Sequence, residues 1–351
     1  MIEARLDRVC IVLLTAVGDA VHAMPVVTAL KRRNPLMHLT WVLQPGPATL
    51  VRGHPGVDEI IEFDRKRGVR AFMDVRRELA GREFDLVLLL QPYLKAAVIA
   101  GFANAPVKLG FDRARARDLS WAFTTHRIPP HEPQHTQDTY FEFLGALGIP
   151  HEPVVWDIGP WDEERARQRE FFATIDRPIV PLVIGTSKPE KDWASERWAA
   201  VADELHATFG LQPMLVGGRS ERELAAEAAI MAKAAHKPLS ALGSGLRPLV
   251  GILDGAALAI SPDTGPLHMS VALGTPTVSL MGYTNPKRFG PWRRFHDLLI
   301  DAYGDPSEDY PASAPHRPGR MDRISVDDVL EKVALALERY PRSRSSGHDA
   351  P

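Results

Sequence analysis

Polar residues suited to chemistry gather in four short segments, of which residues 260–268 are the most informative. Their sequence, Ile-Ser-Pro-Asp-Thr-Gly-Pro-Leu-His, leads from an apolar strand through a polar turn into a helix whose first turn contains Pro266, a favoured early helical position. Unpaired N–H groups at such a helix start, together with the helix dipole, bind anions. With the hydroxyl of Thr264 as a further donor, the segment predicts a diphosphate site.

Asp263 and His268 stand on either side of these donors. Asp263 could accept hydrogen bonds from the hydroxyls of a sugar attached to the diphosphate, and His268 could donate to a phosphate from the first turn of the helix. Both residues also have structural alternatives. Asp263 or Thr264 could serve only as the helix cap, and His268 could be a polar residue on the helix face.

A second segment, residues 185–193, follows another apolar strand and reads Gly-Thr-Ser-Lys-Pro-Glu-Lys-Asp-Trp. Small residues and lysines at the carboxyl end of a strand suit phosphate contact, because an ammonium group can neutralise the charge that builds on a leaving diphosphate. Thr186, Ser187 and Lys191 are therefore candidate phosphate-binding residues. Taken alone the segment is weak evidence, since lysines in surface loops are usually only solvated.

The third segment, residues 14–22, lies at the first strand-to-helix turn and contains a single glycine, Gly18. It is not the Gly-x-Gly-x-x-Gly dinucleotide fingerprint, which disfavours a nicotinamide enzyme. Asp19 has two interpretations. It could act as a general base, or it could be the N-cap of a helix predicted over residues 20–33, and local geometry alone favours the cap.

The fourth segment, residues 216–221, ends a strand and opens a helix with the sequence Val-Gly-Gly-Arg-Ser-Glu. Its paired glycines would let a ligand approach the backbone, and Glu221 could accept hydrogen bonds from ribose hydroxyls. The alternative is that Glu221 is a helix-start carboxylate favoured by the dipole.

All four segments fall where a predicted strand gives way to a predicted helix. Apolar runs rich in β-branched residues alternate with helix-period segments along the chain, which is typical of an α/β protein with parallel sheets covered by helices on both faces. The first half predicts strands over residues 9–14, 39–42, 60–63, 86–90 and 107–110, a Pro/Gly turn after residue 42, and helices over residues 20–33, 69–80, 94–102 and 139–147. The second half predicts strands over residues 179–184, 213–216, 258–260 and 277–280 and helices over residues 163–173, 195–209, 221–235, 247–254, 266–273 and 326–339.

The length of 351 residues predicts two domains, since one hydrophobic core seldom organises so long a chain. A segment rich in proline and histidine, residues 127–161, separates the two alternating halves. We expect Rossmann-like, doubly wound domains over residues 1–160 and 161–340, and a disordered tail over residues 341–351. Because doubly wound sheets bind ligands outside the carboxyl ends of their strands, the cleft between the domains is the expected site.

The composition is that of an ordinary globular protein, with 45% apolar and 25% charged residues. A net charge of −2 argues against a nucleic-acid-binding surface. The single cysteine, Cys10, lies in an apolar run and predicts a buried residue in a protein of a reducing compartment.

The chain is expected to be cytoplasmic, because it has no stretch of about 18–20 apolar residues and no signal-peptide pattern at its start. Basic clusters at residues 65–70, 113–117 and 287–294 could face anionic lipid at the inner face of the membrane, or a phosphorylated acceptor. The alternative is scattered solubilising charge. His131 and His135 lie in a Pro-rich loop without a clear third ligand, and no metal site is expected there.

Taken together, the four segments resemble the bacterial heptosyltransferases, glycosyltransferase family 9. The resemblance spans nearly the whole chain. The motifs that carry it are Gly18-Asp19 with His22 and Pro25, residues 55–61, Leu90-Gln91, Lys95, Gly110-Phe111, Lys191-x-Trp193, Gly217-Gly218 with Glu221, and Asp263-Thr264-Gly265-x-x-His268.

The resemblance implies the GT-B fold, with two Rossmann-like doubly wound domains facing across a cleft, and transfer with inversion at the anomeric carbon without a metal or cofactor. It implies an ADP-heptose donor and an acceptor hydroxyl on lipopolysaccharide core or a related surface glycan. The N-terminal domain would bind the acceptor, and Asp19 would deprotonate it.

The C-terminal domain would bind the nucleotide sugar. By the resemblance, the residues that hold the donor are Lys191 and the amides of Thr264 and Gly265 at the diphosphate, Asp263 at the sugar, Glu221 at the ribose, and Leu242, Gly243 and Ser244 around the adenine. Lys191 would also stabilise the leaving diphosphate.

The chain departs from the family pattern at a few positions. It has Leu13 and Leu14 where relatives often have a basic residue, Pro92 instead of glycine after Gln91, and Ala194 instead of proline after Trp193. Two alternatives of function also remain open. The protein could be a nucleotide-sugar epimerase or a transferase with another donor, or it could bind a nucleotide sugar or glycan without catalysing a reaction.

Overall fold

Parallel strands with mostly buried side chains form the two sheets of the protein. The computed structural model describes residues 1–342, so most of the predicted tail, residues 343–351, lies outside the described residues. By its internal contacts the chain divides into two units, Met1–Ile158 and Gly159–Pro351, which we call unit 1 and unit 2.

Unit 1 contains a six-stranded sheet of order β3-β2-β1-β4-β5-β6. All of its neighbouring strands pair in parallel. The strands are β1 (Arg8–Val12), β2 (His38–Leu43), β3 (Glu59–Glu62), β4 (Leu86–Leu89), β5 (Val107–Gly110) and β6 (His126–Arg127). The helices are α1 (Val17–Arg33), α2 (Pro45–Val51), α3 (Val69–Leu79), α4 (Leu94–Phe102) and α5 (Thr136–Ala146).

Unit 2 repeats this plan with the sheet order β12-β11-β10-β7-β8-β9. Its neighbouring strands are also parallel. The strands are β7 (Ile179–Val183), β8 (Gln212–Val216), β9 (Leu239–Ser240), β10 (Ala259–Pro262), β11 (Thr277–Met281) and β12 (Leu299–Asp301). The helices are α6 (Asp162–Ala173), α7 (Ser195–Ala207), α8 (Glu221–Lys233), α9 (Leu246–Asp254), α10 (Gly265–Ala272), α11 (Pro286–Phe289) and α12 (Val326–Arg339).

In each sheet the strand order reverses once. The reversal lies between β1 and β4 in unit 1 and between β7 and β10 in unit 2. Loops at the carboxyl ends of the two central strands diverge at such a point and leave a crevice that binds ligands in doubly wound proteins. The segments that hold Asp19, Lys191 and Asp263 all follow these central strands.

Apolar side chains between the sheets and helices form the core of each unit. Trp193 and Trp198 pack edge to face in unit 2, with their ring centroids 4.9 Å apart, and the Trp193 indole donates a hydrogen bond to the Ile324 carbonyl over 3.1 Å. Cys10 is fully buried in β1. Burial raises the pKa of its thiol to about 12, so the predicted interpretation of Cys10 as a small buried residue is confirmed.

The predicted α/β class with two doubly wound parallel sheets is confirmed. Several features of the chain differ from the prediction, among them the start of α5, which begins at Thr136 instead of residue 139. Helix α1 begins at Val17, three residues before the predicted start. The predicted Pro/Gly turn after β2 is helix α2, because a proline at the first helical position has the φ angle that a helix needs. The edge strands β6, β9 and β12 are only two or three residues long, too short to show a periodic pattern.

No helix within residues 1–342 has both the length and the apolar character needed to span a bilayer.

Gly282, directly after β11, allows another part of unit 2 to cross close to the strand end. A Cβ atom at this position would lie 2.6 Å from the backbone nitrogen of Met321 and 2.7 Å from the carbonyl of Arg320. We predict that Gly282→Ala lowers the free energy of unfolding by about 1–3 kcal/mol, because backbone atoms would have to move. Urea denaturation followed by circular dichroism measures this change.

Gly251→Ala is the matched control in the same unit. Gly251 lies within α9, and the nearest atoms to a Cβ there are 3.8 Å away. Alanine is favoured over glycine inside helices by about 1 kcal/mol, so this variant should be at least as stable as the parent. Equal destabilisation by both substitutions would contradict the prediction.

Candidate functional site

An ion pair between Lys191 and Asp263 lies at the point of unit 2 where the strand order reverses. Lys191 Nζ is 2.5 Å from Asp263 Oδ2 and 3.2 Å from the Asp263 carbonyl oxygen. His268 Nε2 is 3.6 Å from the other carboxylate oxygen, Oδ1. Asp263 and His268 are buried and Lys191 is half-buried. The structure therefore brings together three of the predicted site residues.

The carboxylate of Asp263 stays ionised in this environment. Burial would raise its pKa, but the hydrogen bond with His268 and the charge of Lys191 outweigh burial and hold the pKa far below its usual range. A permanently charged carboxylate next to an ammonium group can accept hydrogen bonds from sugar hydroxyls, while the ammonium attracts phosphate oxygens.

The start of α10 lies directly after this pair. Gly265 is its first residue and Thr264 is the N-cap, but the Thr264 side chain makes no capping hydrogen bond. Of the two predicted caps, Thr264 occupies the N-cap position and Asp263 does not. The N–H groups at this helix start and the Thr264 hydroxyl are arranged as an anion site next to a lysine.

Hydrogen bonds within the predicted phosphate loop fix its shape. The Thr186 hydroxyl donates to the Lys188 carbonyl over 2.6 Å and also bonds the carboxylate of Asp192. Arg222, in α8, pairs with Asp192 over 2.7 Å and donates to the Thr186 carbonyl over 2.5 Å. Thr186 thus has a structural role in the loop, whereas Ser187 is exposed.

Glu223 is a half-buried residue of this region that sequence reasoning missed. It accepts hydrogen bonds from the N–H groups of Gly218 and Ser220, over 2.5 and 2.9 Å, and from the Ser220 hydroxyl over 2.6 Å. Burial raises the pKa of Glu223, but these donors outweigh burial and lower it. A Cβ atom on Gly185 would overlap the Glu223 carboxylate, so this loop requires glycine.

The signal that could have found Glu223 is the capping box, a serine followed three residues later by glutamate, here Ser220 and Glu223. Glu221, the predicted ribose contact, is the first residue of α8 and is exposed. Its role as a ribose ligand remains a prediction.

The predicted adenine segment follows β9. Leu242 is buried, and Gly243 adopts a left-handed conformation with φ of 74°. The Gly243 N–H donates to the Gly217 carbonyl over 2.9 Å, which joins this turn to the paired glycines after β8. Ser244 is exposed at the edge of a cavity of about 300 Å³ whose walls include Phe171 and Arg247.

Two aromatic residues of unit 2, Tyr283 and His316, lie next to the predicted phosphate loop. Neither of them carries a recognisable sequence signal. Tyr283, which follows β11, is buried, and its ring stacks on that of His316 with centroids 4.8 Å apart. Lys188 Nζ lies 3.4 Å from the Tyr283 hydroxyl. His316 comes from a long irregular segment before α12, where no periodic pattern marks its position.

Asp19 in unit 1 lies at the third residue of α1. Its Oδ2 accepts a hydrogen bond from the N–H of Ala16 over 2.8 Å, and its Oδ1 accepts one from the Tyr140 hydroxyl over 3.2 Å. Ala16 is the N-cap of the helix, so the interpretation of Asp19 as the N-cap residue is wrong. The carboxylate instead binds the N-cap backbone, as in one half of a capping box.

The loop before α1 is held by Gln91, a buried residue that follows β4. Gln91 accepts from the Leu14 N–H over 3.0 Å and donates to the Thr15 carbonyl over 2.8 Å. His22 in α1 and Gln137 in α5 also bond each other, with Gln137 donating to the His22 carbonyl over 2.7 Å. These contacts fix the start of α1 and therefore the position of Asp19.

The two histidines of the Pro-rich loop have local roles. His135 is the N-cap of α5 and accepts from the Gln137 N–H over 3.1 Å, and His131 bonds the Glu132 carbonyl over 2.7 Å. Among residues 1–342, no group of three or more His, Cys, Asp or Glu side chains is arranged to hold a metal ion.

Solved structures of glycosyltransferases with the GT-B fold have the same arrangement. A family 9 glycosyltransferase from Veillonella parvula matches with a TM-score of 0.81 and 24% identity, over 96% of this chain and 99% of that one. The heptosyltransferase WaaC of E. coli, in a structure with ADP, matches with a TM-score of 0.74 and 21% identity, over 94% and 99% of the two chains. These similarities define the class of protein by its fold.

Sequence comparison gives the family. The model of glycosyltransferase family 9 (heptosyltransferase) matches residues 72–309. The lipopolysaccharide core heptosyltransferase OpsX of Haemophilus influenzae is 27% identical over 334 residues, which cover 92% of this chain and 95% of that protein. The chain belongs to glycosyltransferase family 9, and the resemblance inferred from its motifs is confirmed.

The ion pair at the strand reversal generates a prediction about stability. Lys191→Met would remove the ammonium group that pairs with the buried carboxylate of Asp263, and we expect the free energy of unfolding to fall by about 1–3 kcal/mol at neutral pH. The lowered pKa of Asp263 stabilises the fold fully above the unfolded pKa of about 3.9, and this stabilisation is lost progressively as pH falls from there towards the lower folded pKa. The deficit of the variant should therefore shrink below about pH 4.

Urea denaturation between pH 7 and 3.5 measures this deficit. Lys188→Met is the matched control, because Lys188 is an exposed lysine of the same loop. A deficit that is equal in both variants, or that does not change with pH, would show that the pair does not stabilise the fold.

Proposed function

We propose that the protein transfers a heptose from ADP-heptose to a hydroxyl of lipopolysaccharide core or a related surface glycan, with inversion at the anomeric carbon. The observation that carries the proposal is the Lys191–Asp263–His268 cluster at the start of α10. Asp263 and His268 lie on the Asp-Thr-Gly-x-x-His motif, and Lys191 lies on the Lys-x-Trp motif, that carry the resemblance to the family. The names of OpsX, as a lipopolysaccharide core heptosyltransferase, and of WaaC, as a heptosyltransferase with ADP, support the same reaction.

Unit 2 is proposed to bind the donor. Lys191 and the amides of Thr264 and Gly265 hold the diphosphate, because they combine an ammonium group with a helix start. Asp263 accepts hydrogen bonds from sugar hydroxyls. The remaining donor contacts are proposed for Thr186, Ser187 and His268 around the phosphates, for Glu221 at the ribose, and for Leu242, Gly243 and Ser244 at the adenine.

Unit 1 is proposed to bind the acceptor, with Asp19 as the general base. The Asp19 carboxylate accepts hydrogen bonds from the Ala16 N–H and the Tyr140 hydroxyl. These bonds fix the orientation of the carboxylate, which a base needs if it is to meet a hydroxyl at hydrogen-bond distance. As the acceptor oxygen bonds to the anomeric carbon, its proton passes to Asp19 and the diphosphate leaves with the electron pair of the broken bond.

This assignment predicts a specific kinetic defect in Asp19→Asn. The amide keeps the shape of the side chain but cannot take the proton, so kcat should fall by about 10²–10⁴-fold while ADP affinity stays unchanged. Radiolabelled heptose transfer and calorimetric ADP titration measure the two quantities. Because Tyr140 contacts Asp19 without taking the proton, Tyr140→Phe should lose much less activity. Normal turnover in a folded Asp19→Asn protein would rule out Asp19 as the base.

We also propose that unit 1 contacts the anionic inner face of the cytoplasmic membrane through α3 and the turn before it. Val69 and Met73, one helical turn apart, are 76% and 58% exposed, whereas the opposite face of α3 is buried in the core. Exposed basic residues precede and flank them at Arg65, Lys66, Arg67 and Arg70. Apolar side chains set among basic ones are typical of surfaces that bind anionic lipids.

Vesicle sedimentation tests this contact. The protein should bind vesicles of phosphatidylglycerol and phosphatidylethanolamine at low salt. Met73→Gln combined with Arg70→Gln should weaken binding about tenfold, because the lost charge contributes about 1 kcal/mol of binding free energy and the lost apolar contact contributes less. Arg167→Gln with Arg169→Gln, two exposed arginines of α6, is the control. Equal binding by both double variants would remove α3 as the contact surface.

A further inference from the structure

His316 lies in a segment of unit 2 that the family model does not match, since the match ends at residue 309. The segment leaves β12 after Asp301 and returns to the end of β11, where the Arg317 N–H donates to the Tyr283 carbonyl over 3.0 Å. It therefore places His316 next to the loops that carry Lys188 and Lys191.

The residues on both sides of His316 are held firmly. The Tyr303 hydroxyl donates to the Pro315 carbonyl over 2.5 Å. Arg317 makes a bidentate pair with Glu308, over 2.6 and 2.5 Å, and also donates to the Tyr303 carbonyl over 3.0 Å. An imidazole between two fixed neighbours has little freedom to leave its place.

Aromatic and charged groups from several elements surround the imidazole. It stacks on Tyr283, and Phe289 of α11 lies 6.2 Å away between centroids. The charged groups that act on it are Lys188 and Lys191 after β7, Asp263 after β10 and Arg288 of α11. Although one face of the ring is covered, His316 is exposed overall, so a ligand can reach it.

These neighbours set the charge of the free protein. Partial burial and then the ammonium groups of Lys188 and Lys191 lower the pKa of His316, and the Asp263 carboxylate only partly offsets them. The lowered pKa favours the neutral imidazole when no ligand is bound. A diphosphate would neutralise the lysines and add negative charge of its own, and both effects favour the imidazolium.

We propose that His316 is a proton-coupled ligand of the donor diphosphate, which takes up a proton from solvent when the diphosphate binds and then donates a hydrogen bond to a phosphate oxygen. The inference rests on the proposed function, because it requires the diphosphate at Lys191 and the start of α10. When the bond to the anomeric carbon breaks, its electron pair goes to the diphosphate, and the imidazolium offsets the added charge. The proton returns to solvent when ADP leaves.

Calorimetric titration with ADP tests the proposal. Binding at about pH 7.5 is measured in two buffers of different ionisation enthalpy, and the difference in heat gives the number of protons taken up. We expect about half a proton per ADP for the parent protein, and none for His316→Asn. Because proton uptake couples binding to pH, the parent should bind ADP more tightly as pH falls from 8.5 to 6.5. At the lower pH, the ADP affinity of His316→Asn should be about three- to tenfold below that of the parent.

His206→Asn is the matched control. His206 is a half-buried histidine of unit 2 at the end of α7, stacked on His236, and its pKa is also lowered, by lost hydration and by Arg177. This variant should take up protons as the parent does. Lys188→Met provides a second measurement if His316→Asn does not fold. Without the Lys188 charge, more of His316 is protonated before ADP binds, so the number of protons taken up on binding should fall.

The outcomes separate this inference from the proposed function. Proton uptake that is lost in His316→Asn and kept in His206→Asn supports it. ADP binding without proton uptake, or uptake that persists in His316→Asn, overturns the role of His316 and leaves the donor site intact. Failure of the parent protein to bind ADP overturns both proposals.

Discussion

The ion pair of half-buried Lys191 and buried Asp263 connects the loops that follow β7 and β10, the two central strands of unit 2. The Asp263 carboxylate could not be buried alone, because removing an isolated ion from water costs several kcal/mol. Together, and with His268, they bring an ammonium group to the start of α10. The Asp192–Arg222 pair extends the connection to α8. The loops of three strands thus share one electrostatic framework, and the candidate donor site depends on it.

Two carboxylates combine a structural role with a position suited to chemistry or ligand binding. Asp19 and Glu223 both occupy the third position of a helix and accept the N–H of the residue that caps it. The backbone of the turn therefore fixes where each carboxylate lies. For Asp19, a capping role and a catalytic role are alternatives only when the sequence is considered alone. In the structure, the bond from Ala16 leaves Asp19 a second oxygen, which accepts from Tyr140.

Most of the framework could be predicted because its signals are local. Buried strands such as β4 and β7 are continuous apolar runs, and the bounds of α4, β5 and α12 agree with the prediction. The start of α1 could not be found, because its N-cap is Ala16, which lacks a capping side chain. The two- and three-residue edge strands depend on pairing with their neighbours, and pairing leaves no periodic trace in so short a segment.

The residues of the candidate site likewise divide into those that have a local sequence signal and those that do not. Lys191, Asp263 and His268 were found because each lies in a short strand-to-helix segment whose residue types match a known chemistry. Tyr283 and His316 were not found, since they are 33 residues apart and meet only through the fold of the segment between them. That segment is anchored by ion pairs such as Arg317–Glu308 and by the close crossing at Gly282. Long-range packing onto a common framework can therefore add a titratable group to a candidate phosphate site without altering the motifs that identify the family.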